Sequence, residues 1–147
     1  MTGSTSEAPA PVPKPSGALD GLSILVVEDE IFIGMAVEQS LLDAGARVAE
    51  LATSLRDVEE SLAKSTFDAV ILDLRLPDGE TFSVGMRLLE QRVAVVIHSG
   101  HADLDHSRRL PHAVFCPKPS TPSDLVNSVL QARKMAKMGS IFRASGH

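Results

Sequence analysis

Short apolar segments alternate with segments of helical periodicity through the middle of the chain. Several of the apolar segments are apolar at every position, which is typical of parallel strands covered by helices on both faces. The pattern predicts strands over Ser23–Val27, Arg47–Leu51, Ala69–Asp73, Ala94–His98 and Val114–Cys116. It predicts helices over Glu30–Ala44, Leu55–Lys64, Thr81–Gln91 and Pro122–Lys137, with a weak fourth helix over Asp103–Arg109 before the last one.

Capping and turn residues support several of these boundaries. Gly45 follows the first helix as a C-terminal stop, and Ser54 is a candidate N-cap for the second. Thr121 places a capping hydroxyl before Pro122 at the first position of the last helix. Five βα repeats with short loops predict an α/β fold, a doubly wound five-stranded parallel sheet with flanking helices. Such sheets bind ligands beyond the C-terminal ends of their strands.

The two ends of the chain differ from its middle. Residues 1–20 are rich in Pro, Ala and Ser, a composition that favours a flexible tail. We therefore expect one domain over residues 21–138 and a C-terminal tail over residues 139–147. The stretch after Lys137 is too short for a DNA-binding or catalytic output domain, so we expect a stand-alone domain.

Composition narrows the class of protein. Hydrophobic residues make up 44% and charged residues 22% of the chain, as in ordinary soluble domains. The net charge of −5 argues against nucleic acid or an anionic membrane as a partner. The sequence contains neither an apolar run of membrane-spanning length nor a hydrophobic signal core, and Cys116 is its only cysteine. These features predict a cytoplasmic protein.

Polar residues follow four of the predicted strands. Glu28-Asp29-Glu30 follows the first strand, Asp73 ends the third, Ser99-Gly100 follows the fourth and Lys118-Pro119 follows the fifth. Because the C-terminal ends of parallel strands lie at one edge of a sheet, we expect these side chains to converge. Carboxylates held close together repel one another unless a cation or a proton relieves the repulsion.

This set of side chains suits phosphoryl chemistry. The carboxylates of Glu28, Asp29 and Asp73 are hard oxygen ligands of the kind that Mg²⁺ prefers. A carboxylate can attack phosphorus to give an aspartyl phosphate. Lys118, Ser99 and the metal ion could stabilise the negative charge of the transferred group.

Four segments together resemble the response-regulator receiver domain of two-component signalling. They are residues 24–30 (ILVVEDE), 72–79 (LDLRLPDG), 96–100 (VIHSG) and Lys118-Pro119, and the resemblance extends from about Leu22 to Lys137. It implies the flavodoxin-like (βα)₅ receiver fold. It also implies that Asp73 accepts phosphate from the histidine of a histidine kinase or phosphotransfer protein.

The resemblance assigns further roles by position. Glu28 and Asp29 would hold Mg²⁺ together with Asp73 and the backbone carbonyl of Arg75. Ser99 would be the switch hydroxyl, Phe115 the switch aromatic residue and Lys118 the lysine of the site. The Lys118–Pro119 peptide bond would be cis. The domain would phosphorylate and dephosphorylate only itself, and it would signal through a downstream protein target as a monomer or weak dimer.

Some positions depart from the common pattern of this family. Glu28 is one methylene longer than the usual aspartate, and Phe115 lacks the hydroxyl of the commoner tyrosine. Arg75 and His101 occupy positions that influence how fast water removes the phosphate. The lifetime of the phosphorylated state therefore stays open.

Other interpretations are available for the same residues. Glu30 is most simply a solvated helix start, Asp78-Gly79 a plain turn, and His98, His101, His106 and His112 surface histidines. A phosphatase with an aspartyl nucleophile usually has a second acid where this chain has Arg75. A flavin-binding module should have a Ser/Thr- or Gly-rich loop after the first strand, where this chain has acids. A receiver cut from a larger hybrid protein is a further alternative.

The first helix carries a second apolar stripe. Ile33, Val37 and Leu41 share its core face, whereas Ile31, Phe32 and Met35 lie outside that face. Our hypothesis is that Ile31, Phe32 and Met35 form the docking surface for a kinase helical bundle. The alternative is that a neighbouring helix or the Pro-rich tail covers them. We also expect the weak helix over Asp103–Arg109 to be the least stable element, able to rearrange on phosphorylation.

Overall fold

The computed structural model describes residues 17–100, 103, 105 and 108–145. Its strands are β1 (Ser23–Val27), β2 (Val48–Ala52), β3 (Ala69–Leu72), β4 (Arg75–Leu76), β5 (Gly79–Glu80), β6 (Ala94–Ser99) and β7 (Val114–Pro117). Its helices are α1 (Ile31–Asp43), α2 (Leu55–Lys64), α3 (Phe82–Glu90) and α4 (Pro122–Ser145), preceded by a 3₁₀ turn over Gly17–Leu19. Apart from the end of α4, the predicted strands and long helices agree with these bounds to within one residue.

Five strands form a parallel sheet in the order β2-β1-β3-β6-β7. The register sets the strand ends side by side, since Val27 pairs with both Ala52 and Leu72. Leu72 in turn pairs with Ile97 in β6. This arrangement confirms the predicted doubly wound fold, and it brings the residues that follow each strand to one edge.

Strand β1 shows why the strands are apolar throughout. Ile24 and Val26 pack in one core cluster with residues of α1 and α4. Leu25 and Val27 point to the other face and pack with residues of α2 and α3. All four side chains are at most 1% exposed. Helices therefore cover both faces of the sheet and leave its strand ends for polar residues.

The helix caps follow the sequence. Ser54 Oγ accepts a hydrogen bond from the backbone N–H of Asp57 at 3.1 Å. Thr121 and Asp124 cap each other's backbone N–H groups, at 3.0 and 3.1 Å. Gly45 ends the turn after α1 with φ of +102°, in a conformation that favours glycine. The predicted start and stop signals are confirmed at these positions.

The structure adds a small hairpin that the sequence pattern did not show. Strands β4 and β5 pair antiparallel, with Arg75 opposite Glu80 and Leu76 opposite Gly79. Pro77-Asp78 forms the turn and Gly79 begins β5, so the turn predicted at Asp78-Gly79 is present within a hairpin. Strands of two residues are too short to give a period.

Ordered structure extends into both of the predicted tails. Leu19, placed in the tail over residues 1–20, is fully buried in the core, and its N–H donates to Ala44 O at 3.0 Å. The tail was predicted from the composition of residues 1–20 as a whole, and that composition does not indicate the burial of the single residue Leu19. Helix α4 continues to Ser145, so most of the predicted tail over residues 139–147 is helical. Gly139 is the weakest helix former in this stretch, and one glycine costs only about 1 kcal/mol relative to alanine.

The segment before β7 is described only in part. Most of the weak helix predicted over Asp103–Arg109 lies outside the described residues, so that prediction is not tested. Asp103 N donates to Gly100 O at 3.0 Å, and Leu110 is 1% exposed. Among the described residues, no helix has the length and apolar character that a membrane crossing requires.

We expect Leu19→Ala to lower the free energy of unfolding by about 2–5 kcal/mol, because it leaves a cavity under the 3₁₀ turn. Urea denaturation followed by circular dichroism measures this. Leu42→Ala is the matched control, since Leu42 is 37% exposed, and should cost less than about 1 kcal/mol. Equal losses in the two variants would show that Leu19 does not anchor the domain.

Candidate functional site

Backbone hydrogen bonds hold three predicted site residues at the edge of the sheet. Asp73 N donates to Val27 O at 3.0 Å, just beyond the end of β3. Glu28 N donates to Ala52 O at 3.0 Å, and Lys118 N donates to Ser99 O at 2.8 Å. The backbone hydrogen bonds of the sheet thus continue one residue past β1, β3 and β7. They fix the backbone positions of Glu28, Asp73 and Lys118.

Asp73 is the centre of the site. Its Oδ2 accepts a hydrogen bond from Lys118 Nζ at 3.0 Å. Its Oδ1 accepts from Ser99 Oγ at 3.1 Å and from the backbone N–H of Arg75 at 3.2 Å. The residue is only 9% exposed. The structure therefore brings Asp73, Ser99 and Lys118 together as the sequence predicted.

Two further hydrogen bonds fix the backbone around Asp73. Ser99 Oγ accepts from the backbone N–H of Leu74 at 3.2 Å. Thr81 Oγ1 donates to the carbonyl oxygen of Asp73 at 2.7 Å, and Thr81 is fully buried. Sequence reasoning placed Thr81 only at a helix start, since nothing local shows that its hydroxyl turns back to Asp73 instead of capping α3.

Glu28 and Lys118 form a close ion pair. Glu28 Oε1 lies 2.6 Å from Lys118 Nζ. Apart from this ion pair, the buried oxygen has no partner among the described residues. The other oxygen, Oε2, accepts from the backbone N–H of Glu30 at 3.3 Å. Glu28 thus has a buried oxygen that can still accept a ligand.

Burial and charge shift two pKa values in the site. Burial raises the pKa of Glu28 to about 7, with a smaller rise from the charge of Asp73, although the Lys118 ammonium acts in the opposite direction. Burial alone would lower the pKa of Lys118, but Glu28 and Asp73 outweigh it and raise that pKa. Lys118 therefore stays cationic at neutral pH.

The carboxylates fit a divalent cation. Glu28, Asp29 and Asp73 each place one oxygen within 4.8 Å of the others. The buried Oε1 of Glu28, which has only the ion pair with Lys118, is the kind of group that a divalent cation would satisfy, and hard oxygen donors suit Mg²⁺. Glu30, at the N-cap of α1, is exposed and makes no side-chain capping bond, which agrees with a solvated helix start.

The remaining predicted site residues lie around this centre. Arg75 follows Asp73 by two residues, and its guanidinium lies 3.4 Å from Asp103 Oδ1. The carbonyl of Arg75 as a metal ligand stays a prediction. Phe115 is partly buried against a small cluster of Leu74, Phe82, Ile97 and Leu110. Its switch role also stays a prediction, and His101 lies outside the described residues.

The second apolar stripe of α1 is exposed. Ile31, Phe32 and Met35 are 55%, 87% and 54% exposed. No described helix covers them, and residues 1–16, which include most of the Pro-rich tail, lie outside the described part of the chain. Phe32 borders a largely apolar groove of about 570 Å³ between α1 and α4, which extends to Lys118.

His98 corrects one prediction. We expected four surface histidines, and His112 is exposed, but His98 lies in β6 and is only 4% exposed. His101 and His106 lie outside the described residues. A hydrogen bond of 2.9 Å joins His98 Nε2 to Ser120 Oγ. Every residue of β6 is buried, so the imidazole of His98 is buried although it is polar.

The environment of His98 predicts a pH effect on stability. Burial, together with the nearby Lys118 ammonium and against the charge of Asp73, lowers the pKa of His98 from 6.5 to about 4. The unfolded chain takes up this proton near pH 6.5, whereas the folded protein resists it until about pH 4. Neutral His98 therefore contributes stability that is fully present above pH 6.5 and is lost as the pH falls towards 4.

Between pH 6.5 and pH 4, we expect the free energy of unfolding to fall by about 3 kcal/mol less in His98→Asn than in the wild-type protein, because the variant has no imidazole to protonate. Urea denaturation across this range, in the presence of a chelator, measures the slope of the free energy of unfolding against pH. His112→Asn, at an exposed histidine, is the control and should keep the wild-type slope. Identical slopes for all three proteins would contradict the prediction.

Comparison with known proteins agrees with this geometry. The model of the response regulator receiver domain family matches residues 24–130. The transcriptional regulatory protein PdtaR of Mycobacterium tuberculosis is 26% identical over 133 residues, covering 88% of this chain and 61% of PdtaR. The sensor protein TorS of Escherichia coli is 27% identical over 131 residues, covering 84% of this chain but 14% of TorS.

Solved structures show the same fold. A response regulator receiver protein from Sinorhizobium medicae superposes with a TM-score of 0.70 at 26% identity, covering 80% of this chain and 98% of that one. This chain spans less than two thirds of the two curated relatives named above. The family match extends from β1 into α4 and includes every predicted metal, acceptor and lysine position. The chain therefore belongs to the response regulator receiver domain family of two-component signalling.

Proposed function

We propose that the protein accepts a phosphoryl group on Asp73, in a Mg²⁺-dependent reaction, from the histidine of a histidine kinase or a phosphotransfer protein. One observation carries this proposal. Ser99 and Lys118 hold the two oxygens of Asp73 at the sheet edge where Glu28 and Asp29 also place carboxylates. Such a set combines a nucleophile, a cation site and hydrogen-bond donors for phosphoryl oxygens.

The roles of the residues follow from their contacts. An oxygen of Asp73 attacks phosphorus, the phosphorus–nitrogen bond to the donor histidine breaks, and its electron pair returns to the imidazole. Lys118 and the Ser99 hydroxyl already donate to Asp73, so they can donate to the transferred group without a long movement. Glu28, Asp29 and Asp73 would hold Mg²⁺, with the carbonyl of Arg75 as a further ligand, and the ion would neutralise charge on the phosphoryl oxygens.

The donor is proposed to dock on α1. Ile31, Phe32 and Met35 are exposed, apolar and close to the N-terminal end of that helix, directly after the acids of the site. A helical partner seated there would bring its histidine towards Asp73. Exposed apolar side chains of this size are typical of contact surfaces.

The wider role is also proposed from the receiver family. We propose a cytoplasmic protein, monomeric or weakly dimeric, that reacts only at its own Asp73 and passes the signal to a protein target instead of nucleic acid or membrane. The reaction would be the same in a stand-alone receiver and in a receiver of a longer protein, because its residues all lie between Glu28 and Lys118.

We expect Asp73→Asn to abolish phosphorylation by acetyl phosphate and Mg²⁺, because the amide cannot act as the nucleophile. Phosphate-affinity electrophoresis detects the product. Asp78→Asn is the matched control, since Asp78 is a neighbouring acid whose oxygens accept from the N–H groups of Leu55 and Arg56, outside the site. Phosphorylation of Asp73→Asn at the wild-type rate, or a wild-type protein that does not respond at all, would overturn the proposed function.

Docking on α1 predicts a selective defect. Met35→Glu should slow phosphotransfer from the cognate kinase by about tenfold or more, since it puts a charge into an apolar contact. The same protein should react normally with acetyl phosphate, which needs no docking surface. Met86→Glu is the matched control, because Met86 is 53% exposed on α3, away from the proposed contact. Equal transfer rates for Met35→Glu and wild type would exclude this surface.

A further inference from the structure

A hydrogen-bonded pair, the buried His98 and the partly buried Ser120, lies beside the site and has no part in the proposed chemistry. His98 is 4% exposed within β6, and its Nε2 is 2.9 Å from Ser120 Oγ. Ser120 lies in the loop between β7 and α4, directly after the cis Lys118–Pro119 bond. The residues around the pair are largely apolar, including Val37, Pro122 and Leu125. A buried imidazole stays there at little cost only while its hydrogen bond is made.

The pair connects the two groups that donate to Asp73. His98 immediately precedes Ser99, and Ser120 is two residues beyond Lys118. The backbone N–H of Lys118 donates to Ser99 O at 2.8 Å. The loop that carries Lys118 is thus attached to β6 twice, once by backbone at Lys118 and once by side chains at Ser120. Together the two bonds restrict both the distance and the rotation of the loop relative to Ser99.

Lys118 needs such an anchor. Its side chain has four rotatable bonds and spans from the loop to both Glu28 and Asp73. A shift of its backbone would change both ion pairs together. Donor groups that act on a transferred phosphoryl must be held close to their working positions, and displacements of about 1 Å can cost about a hundredfold in rate.

We propose that the His98–Ser120 hydrogen bond sets the position of Lys118 relative to Ser99, which makes His98 and Ser120 positioning residues for phosphoryl transfer to Asp73. This inference rests on the proposed function of Asp73. The two residues touch neither Asp73 nor the carboxylates that would hold Mg²⁺, so we expect their loss to lower the rate of transfer even when Mg²⁺ is saturating.

Ser120→Ala and His98→Leu test the bond from its two ends. The rate of phosphorylation by acetyl phosphate at saturating Mg²⁺ should fall about tenfold in each variant. Calorimetry without a phosphodonor gives the saturating Mg²⁺ concentration for each variant, because a shift of Lys118 also changes its ion pairs with Glu28 and Asp73. Ser120→Thr and His98→Gln keep a hydrogen-bonding atom in reach and should recover most of the rate. Ser123→Ala makes the same chemical change at an exposed position of α4 and should behave as wild type.

The double variant distinguishes the loss of one shared hydrogen bond from two independent effects on the rate of phosphorylation. Ser120→Ala combined with His98→Leu should be no slower than the slower single variant, because both changes remove one interaction. Unchanged rates in the single variants, additive losses in the double variant, or a Ser120→Thr protein as slow as Ser120→Ala would each overturn the inference. If the wild-type protein itself is not phosphorylated, the proposed function fails instead, and that result is distinct from all of these.

Discussion

The ammonium of Lys118 holds the site together, because it lies between two carboxylates that the fold has largely buried. It is 2.6 Å from Glu28 Oε1 and 3.0 Å from Asp73 Oδ2. Carboxylates at the ends of neighbouring strands would otherwise repel each other in a region with little water. Burial, with a smaller effect of the charge of Asp73, raises the pKa of Glu28 to about 7, so one lysine offsets only part of the cost of placing this carboxylate here. The strand ends can meet at one edge only because a cation lies among them.

This requirement explains the architecture around the edge. Strands β1 and β3 end level, because Val27 pairs with Leu72. Strand β7 extends two residues beyond that level, since Leu72 pairs with Ile97 and Ile97 with Phe115. The long side chain of Lys118 spans this offset and contacts both Glu28 and Asp73. Backbone bonds one residue past each of these strands keep the alignment at the side chains. Thr81 and Ser99 then fix the turn after β3 through its backbone. The apolar layers on both faces supply the rigidity against which these polar contacts are held.

The site could be predicted from the sequence as far as it depends on chain order. Asp73 and Lys118 directly follow apolar strands, so a parallel sheet brings them together whatever the details of packing. Thr81 and His98 could not be assigned in this way. The direction of a hydroxyl or an imidazole depends on neighbours distant in sequence, such as Asp73 O and Ser120 Oγ. Leu19 was missed for a related reason, since its partner Ala44 lies after α1.

The balance of charge also indicates why a divalent cation, and not only Lys118, belongs to the proposed reaction. When Glu28, Asp29 and Asp73 are all ionised, the cluster holds three carboxylates and one ammonium, a formal charge of −2. An approaching phosphoryl group is itself an anion and would be repelled by that balance. Lys118 cannot correct it alone, because each donor hydrogen directed to Glu28 is unavailable to the phosphoryl oxygens. A doubly charged cation held by the carboxylates would bring the balance to zero, and Lys118 would then be free to turn from Glu28 to the transferred group.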